Sequence, residues 1–203
     1  AQCSAEPATA IIADGTCRIA PQSSVDHELH HYVLTSHIPG TVAFLWDSPV
    51  PVSYPIDLTE IPLTLSATIT GAPAALPMKY VATRPGEGAS GGETRPGLAA
   101  HPPNDGRVVA DFFMRLPLAR KVMLEFAVAL QDGSESDACR FIVKANGVNV
   151  FNQLLTGPDG WHPGTADLTP HAGKPLLLSL IVDSEGPYNF DWARWGKPII
   201  RAD

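Results

Sequence analysis

The chain has 203 residues, 44% of them hydrophobic and 17% charged, with 20 Pro and 17 Gly. Proline at that density, about twice the ordinary share, excludes a helical bundle, because each ring removes a backbone donor and clashes with the preceding turn. A formal charge of −7 without a basic cluster excludes nucleic acid as a partner, and without a run of about 18 apolar residues nothing reads as a transmembrane segment. The chain opens Ala1-Gln2-Cys3-Ser4, as a secreted chain does once its signal peptide has been cut after a small residue. Residues 1–25 are small, polar and weakly patterned, and read as a short irregular N-terminal extension. Cys3 and Cys17 both lie in it, with an Asp14-Gly15 turn signal before the second, and are expected to form a disulfide that tethers it, in keeping with secretion. The third cysteine, Cys139, lies in an apolar run and reads as a buried thiol.

From residue 26 onward the chain reads as one β domain, residues 26–203. Strand-like runs fall at 32–35, 41–46, 52–58 and 63–70, the last alternating Leu63, Leu65, Ala67 and Ile69 with Thr and Ser. Ahead of them, His27, His30, His31 and His37 crowd together. A helical turn would place His27 and His31 four residues apart on one face, with metal-binding spacing, but an extended strand would separate His30 from His31. A hydrogen-bonded or solvated cluster is the expected outcome. Residues 84–106, with Arg84-Pro85-Gly86-Glu87-Gly88 and Gly91-Gly92, bury little and read as a long exposed loop.

The second half is patterned more sharply. Residues 108–116 and 121–130 read as strands. Asn146-Gly147, between the β-rich runs 141–145 and 148–151, is a strong hairpin signal because both residues tolerate the positive φ of a type I′ turn. Residues 156–164 form a turn-rich loop bearing Trp161 and His162. Residues 176–183, 189–195 and 199–201 supply the last strands. Many short strands with turn punctuation and no internal repeat give a sandwich or barrel.

Three stretches carry a family resemblance. Asp167-Leu168-Thr169-Pro170-His171-Ala172-Gly173-Lys174 resembles the D-L-S-x-Y-A-G-K segment of galactose-binding-like jelly rolls. Residues 141–151 before it and Asp191-Trp192-Ala193-Arg194-Trp195-Gly196-Lys197-Pro198 after it occur in the same order there, and His101-Pro102-Pro103 resembles another recurring element. Over residues 101–201 the chain is thus similar to carbohydrate-binding modules attached to bacterial glycoside hydrolases. The resemblance implies an all-β, two-sheet jelly-roll sandwich and carbohydrate as partner.

A sugar site needs aromatic surfaces for the CH faces of a pyranose and polar groups for its hydroxyls. Trp161 and His162 in their Gly/Pro loop, and Tyr188 and Asn189 beside the acidic loop 183–187, are the candidates for ligand binding. Trp192 and Trp195 are expected in the core, while Trp161 either faces solvent or plugs an end of the sandwich. Calcium is common in such jelly rolls and takes oxygen ligands. Asp183, Glu185 and Asp191 form one candidate metal set, Asp132, Glu135 and Asp137 another, although Asp191 can equally be tied to loop backbone N–H groups. No nucleophile elbow, phosphate loop or Cys-x-x-Cys pair occurs. The expectation is a secreted, non-catalytic carbohydrate-binding module. An extracellular assembly subunit that packs on a protein partner is the alternative, and a polysaccharide-active enzyme comes third.

Overall fold

The structure is a computed structural model that describes residues 50–78, 80–185 and 190–203, together with the backbone of five strands nearer the N-terminus. Those five are β1 (Cys3–Ser4), β2 (Ala10–Ala13), β3 (Arg18–Gln22), β4 (Leu29–Thr35) and β5 (Val42–Leu45). β4 lies between β1 and β3, and β2 pairs with β5, so residues of the expected extension share ladders with residues 29–45. Cys17 lies outside the described residues, and with it the expected bridge to Cys3. The side chains of the histidine cluster and Trp46 lie outside them too.

The sandwich follows in thirteen strands: β6 (Val50–Pro51), β7 (Ile56–Asp57), β8 (Thr64–Ile69), β9 (Ala72–Ala74), β10 (Ala82–Ser90), β11 (Glu93–His101), β12 (Gly106–Arg115), β13 (Val122–Leu130), β14 (Cys139–Ala145), β15 (Val148–Leu155), β16 (His162–Asp167), β17 (Pro175–Ser184) and β18 (Ala193–Ala202). One sheet runs β10-β11-β18-β13-β16, with β7 on the free stretch of β18; the other runs β15-β14-β17-β12-β8-β9, with β6 beside β12. This is the expected all-β, two-sheet jelly-roll sandwich. Among the described strands only the short β6–β12 pairing is parallel. No helix among the described residues is long and apolar enough to cross a membrane.

Side-chain alternation decides which face of each strand is buried. In β12, Val108, Ala110, Phe112 and Met114 point inward and lose all contact with water. The core is knitted by rings from both sheets. Trp195 (β18) and Phe126 (β13) come from one sheet and are 5.3 Å apart. Phe141 (β14), from the other, lies 5.3 Å from Trp195, and Phe151 (β15) meets Phe126 edge-on at 4.8 Å. Cys139 is a fully buried thiol, and burial pushes it up to about 12. Asn146 and Gly147 take φ of 49° and 82° and close the β14–β15 hairpin as the sequence predicts. Thr169–His171 is a 3₁₀ turn, ended by Gly173 at φ 74°.

The stretch expected as a long loop is instead a nine-pair hairpin. β10 and β11 pair from Ala82↔His101 to Ser90↔Glu93, with Gly91 and Gly92 at φ 60° and 77° forming the two-residue tip. The sequence misled because prolines and glycines read as breakers, yet each is placed where a sheet accepts it. β10 is an edge strand, which tolerates Pro85, and Pro96 lies outside the segment Gly97–Ala100 that pairs with β18. Gly97 cannot be replaced cheaply, since a Cβ there would stand 1.9 Å from the Trp195 carbonyl oxygen.

The hairpin tip reaches the end of β13. Asp132 N–H donates to the Ala89 carbonyl, Ser90 Oγ donates to the Leu130 carbonyl, and the Gly91 and Gly92 N–H groups donate to the Asp132 carboxylate at 2.8 and 3.1 Å. Asp132→Ala is expected to cost about 1 kcal/mol, the net worth of such exposed charge-assisted bonds. Urea unfolding would measure it, and hydrogen exchange at Gly91 and Gly92 should accelerate before the rest of the sheet.

Candidate functional site

Ala193 and Trp195 face the core, so Arg194 and Gly196 face outward from the same strand. The outer surface of this sheet is built of small residues, with Gly97 opposite Gly196 and Ala99 opposite Arg194. Two large side chains lie down on it.

Trp161 is the first. Its ring covers Gly196, where a Cβ would stand 2.6 Å from the indole, its N–H donates to the Glu93 carbonyl at 2.8 Å, and the Arg95 guanidinium lies 5.3 Å from its centroid. Arg95 is itself held by Glu93 at 2.7 and 2.9 Å. Trp161 is therefore half-buried, a wedge that fastens the β10–β11 hairpin to β18. His162 hydrogen-bonds Asp159 at 2.7 Å, which holds the Asp159 carboxyl below the usual range. Neither Trp161 nor His162 lines the cleft described next. Tyr188 and Asn189 lie outside the described residues.

Arg194 is the second. It lies against Gly88, where a Cβ would come within 2.5 Å of Nε, and its Nε donates to Gln131 Oε1 at 2.9 Å, with Nη2 on the same oxygen. Desolvation by burial, helped by the positive charge of Arg84, lowers its pKa. Beside it, at the end of the sandwich where β11 finishes and β18 begins, opens a cleft of about 820 Å³. Tyr80, Phe190 and Trp192 supply its rings, while Arg84, Arg194 and Gln131 supply donors.

The rings are set by the loops. Trp192 is half-buried, with its carbonyl accepting the Gln131 N–H at 2.9 Å and its ring 3.6 Å from the Cβ position of Gly133. Phe190 meets it edge-on at 5.4 Å, and the Phe190 carbonyl accepts Ser134 Oγ at 2.7 Å. Phe190 is 50% exposed and Tyr80 62%. Both occupy the left-handed region, at φ 53° and 71°. Bulky side chains rarely adopt it, and such strain gathers where a ligand is held. Among the described residues the other non-glycine positions with positive φ are Thr70, Asp105, Asn146 and Lys197; the first three immediately precede glycines, and Lys197 lies where the β13–β18 register shifts.

The expected metal set does not assemble. Asp183 pairs with Arg107 at 3.0 Å and Glu185 pairs with Arg140, so both carboxylates already have cationic partners. Burial pushes the Asp183 carboxyl up against the pull of Arg107. Asp191 is 1% exposed, and neither of its oxygens has a hydrogen-bond partner, so the expected tie to loop N–H groups is absent. Burial pushes its carboxyl up, and nearby Ser136, His101 and Cys139 offset this only in part. Asp132, from the second set, is taken by the hairpin tip. Calcium takes six to eight oxygens, and no group of three or more His, Cys, Asp or Glu among the described residues is placed to hold a metal ion.

Sequence reasoning passed over Arg84, Gln131, Arg194, Phe190 and Tyr80, and assigned Trp192 to the core. The Gly91-Gly92 dipeptide was the signal that would have set Arg84 on a strand, since it fits a two-residue hairpin turn.

No family model matches the chain, and no curated protein matches it. Solved structures do. The tandem CBM51 modules of a family 98 glycoside hydrolase from Streptococcus pneumoniae superpose with a TM-score of 0.53 at 10% identity, covering 87% of this chain and 55% of theirs. CBM51-2 in complex with GlcNAc, with INT domains, from Clostridium perfringens ZmpB gives 0.49 at 13% identity, covering 99% of this chain and 40% of that one. The chain thus spans less than two thirds of either. Its fold is similar to that of the CBM51 modules of the Streptococcus pneumoniae enzyme.

Proposed function

We propose, from that fold as premise, that the chain is a carbohydrate-binding module and that its ligand lies in the cleft bounded by Trp192, Phe190 and Tyr80. The observation that carries this reading is the gathering of three accessible rings around a concave end of the sandwich, two of them on strained backbone. A pyranose presents CH groups on one face and hydroxyls around its edge. Trp192 supplies a flat apolar surface for the first, and the guanidinium and amide groups of Arg84, Arg194 and Gln131 supply donors and an acceptor for the second. Such sites, apolar with a few placed polar groups, are the usual form of a small-molecule pocket. On this reading the module would act outside the cytoplasm, where polysaccharide ligands are met.

Trp192→Ala is expected to weaken glycan binding at least about 30-fold, the loss of one aromatic anchor worth ~2 kcal/mol. Titration calorimetry against a panel of neutral and acidic oligosaccharides, first with the native chain and then with the variant, measures it. If the native chain binds no member of the panel, the reading fails.

A further inference from the structure

The cleft is cationic in an acidic protein. Arg84 of β10 stands opposite Ala99 of β11, and Ala99 stands opposite Arg194 of β18. The three therefore form one row across the outer face, with the two arginines two strands apart, roughly 10 Å between backbones. The residue between them is an alanine, so nothing tall separates the guanidinium groups, which can converge on one ligand.

Among the described residues no carboxylate neutralises either arginine. Elsewhere Arg95, Arg107, Arg140 and Arg201 each pair with a carboxylate, namely Glu93, Asp183, Glu185 and Glu125, while Arg115 reaches the Gly173 carbonyl. Among the described residues Arg84 has no ion pair, and Arg194 meets only the neutral amide oxygen of Gln131. No Asp or Glu is found in the described lining of the cleft. The chain as a whole carries −7, so this pair of like charges runs against the global balance. Its mutual repulsion contributes to the lowered pKa of Arg194. An arrangement that keeps two cations close, and leaves room for one of them by placing glycine at position 88, is relieved when an anion binds.

We infer that the ligand of this cleft is an anionic sugar, one bearing a carboxylate or a sulfate, with the anion gripped between Arg84 and Arg194 and the sugar ring against Trp192. This rests on the carbohydrate-binding reading and narrows it to a class of glycan. Guanidinium groups suit the task, since their planar fork matches both anions in a bidentate manner.

The test is calorimetric titration of the native chain with trigalacturonate, with a sulfated galactose oligomer, with neutral galactotriose and with sodium sulfate alone, at low and at 0.5 M salt. At least one charged oligosaccharide should bind about ten- to a hundredfold tighter than galactotriose. That advantage should shrink in high salt, as expected for a partly open site. Arg84→Ala and Arg194→Gln should each remove most of the advantage, while thermal melts show both variants folded. Arg84→Lys, which keeps the charge but loses the fork, should restore only part of it. Equal or tighter binding of galactotriose, unaffected by Arg84→Ala, overturns the inference and leaves the carbohydrate-binding reading standing. Binding of sodium sulfate as tight as that of the sulfated oligomer overturns it too, since the sugar would then contribute nothing. Failure of every oligosaccharide, charged or neutral, overturns both.

Discussion

Trp195→Ala should lower the unfolding free energy by about 3–5 kcal/mol, the usual cost of deleting a large aromatic ring from a core. Trp195 is 1% exposed and touches Phe126 of its own sheet and Phe141 of the facing one, so its removal opens a void at the junction of the two layers. Urea denaturation measures the loss; a change under about 1 kcal/mol would mean that the surrounding rings collapse into the space. The comparison with Trp192 sharpens the result. Three residues earlier in the chain, Trp192 borders the cleft and, among the described rings, packs on Phe190, so its replacement should spare stability and weaken binding. Two tryptophans in one short segment thus carry opposite duties.

Asp191→Asn is expected to stabilise the protein at pH 7 by about 1–3 kcal/mol, because the native residue is a buried carboxyl without a hydrogen-bond partner. Its pH dependence follows from linkage. Burial raises the folded-state pKa above the unfolded value. The unfolded chain therefore releases this proton more readily, and the penalty appears as pH rises through the unfolded pKa towards the folded one. Below the unfolded value the carboxyl is protonated in both states and the penalty vanishes. The native chain should thus gain stability relative to Asp191→Asn as pH falls through that window, and the two should differ by a constant amount above it. Subtracting the two profiles removes the other titrating groups: Asp111 and Asp183 with raised pKa, Glu93, Asp159 and Asp167 with lowered pKa. His101 and Asp137 are the charged neighbours that tune Asp191, so His101 must be kept intact in this comparison. A variant less stable than the native chain at pH 7, with a parallel profile, would show that the carboxylate is ionised and partnered.

Some of this was written locally. The alternation of apolar residues with Thr and Ser in β8 and the Asn146-Gly147 turn each depend on residues adjacent in the chain, and the structure places both in strands and a hairpin as the sequence predicts. The 3₁₀ turn at Thr169, ended by Gly173, is equally local. The hairpin of β10 and β11 was misread because Pro85, Pro96 and the strand glycines Gly86, Gly88 and Gly97 oppose a strand by propensity, and only their places in the sheet make them acceptable.

The candidate site lay further from sight. Arg84, Ala99, Arg194 and Gln131 are separated by up to 110 positions in the chain and meet because β10, β11, β18 and β13 lie side by side in that order. Nothing in the local pattern fixes lateral strand order. The same holds for the tryptophans: Trp161 sits in a loop and was a natural candidate for a ligand platform, yet its ring lies on Gly196 with its N–H on the Glu93 carbonyl and Arg95 over it, all from other parts of the sheet. The sequence by itself determined that this chain is all-β, a sandwich or a barrel, through side-chain periodicity and turn chemistry, which are settled between near neighbours. The tertiary structure alone decided which rings stay open and which charges face each other unpaired, because both depend on contacts between strands distant in the chain.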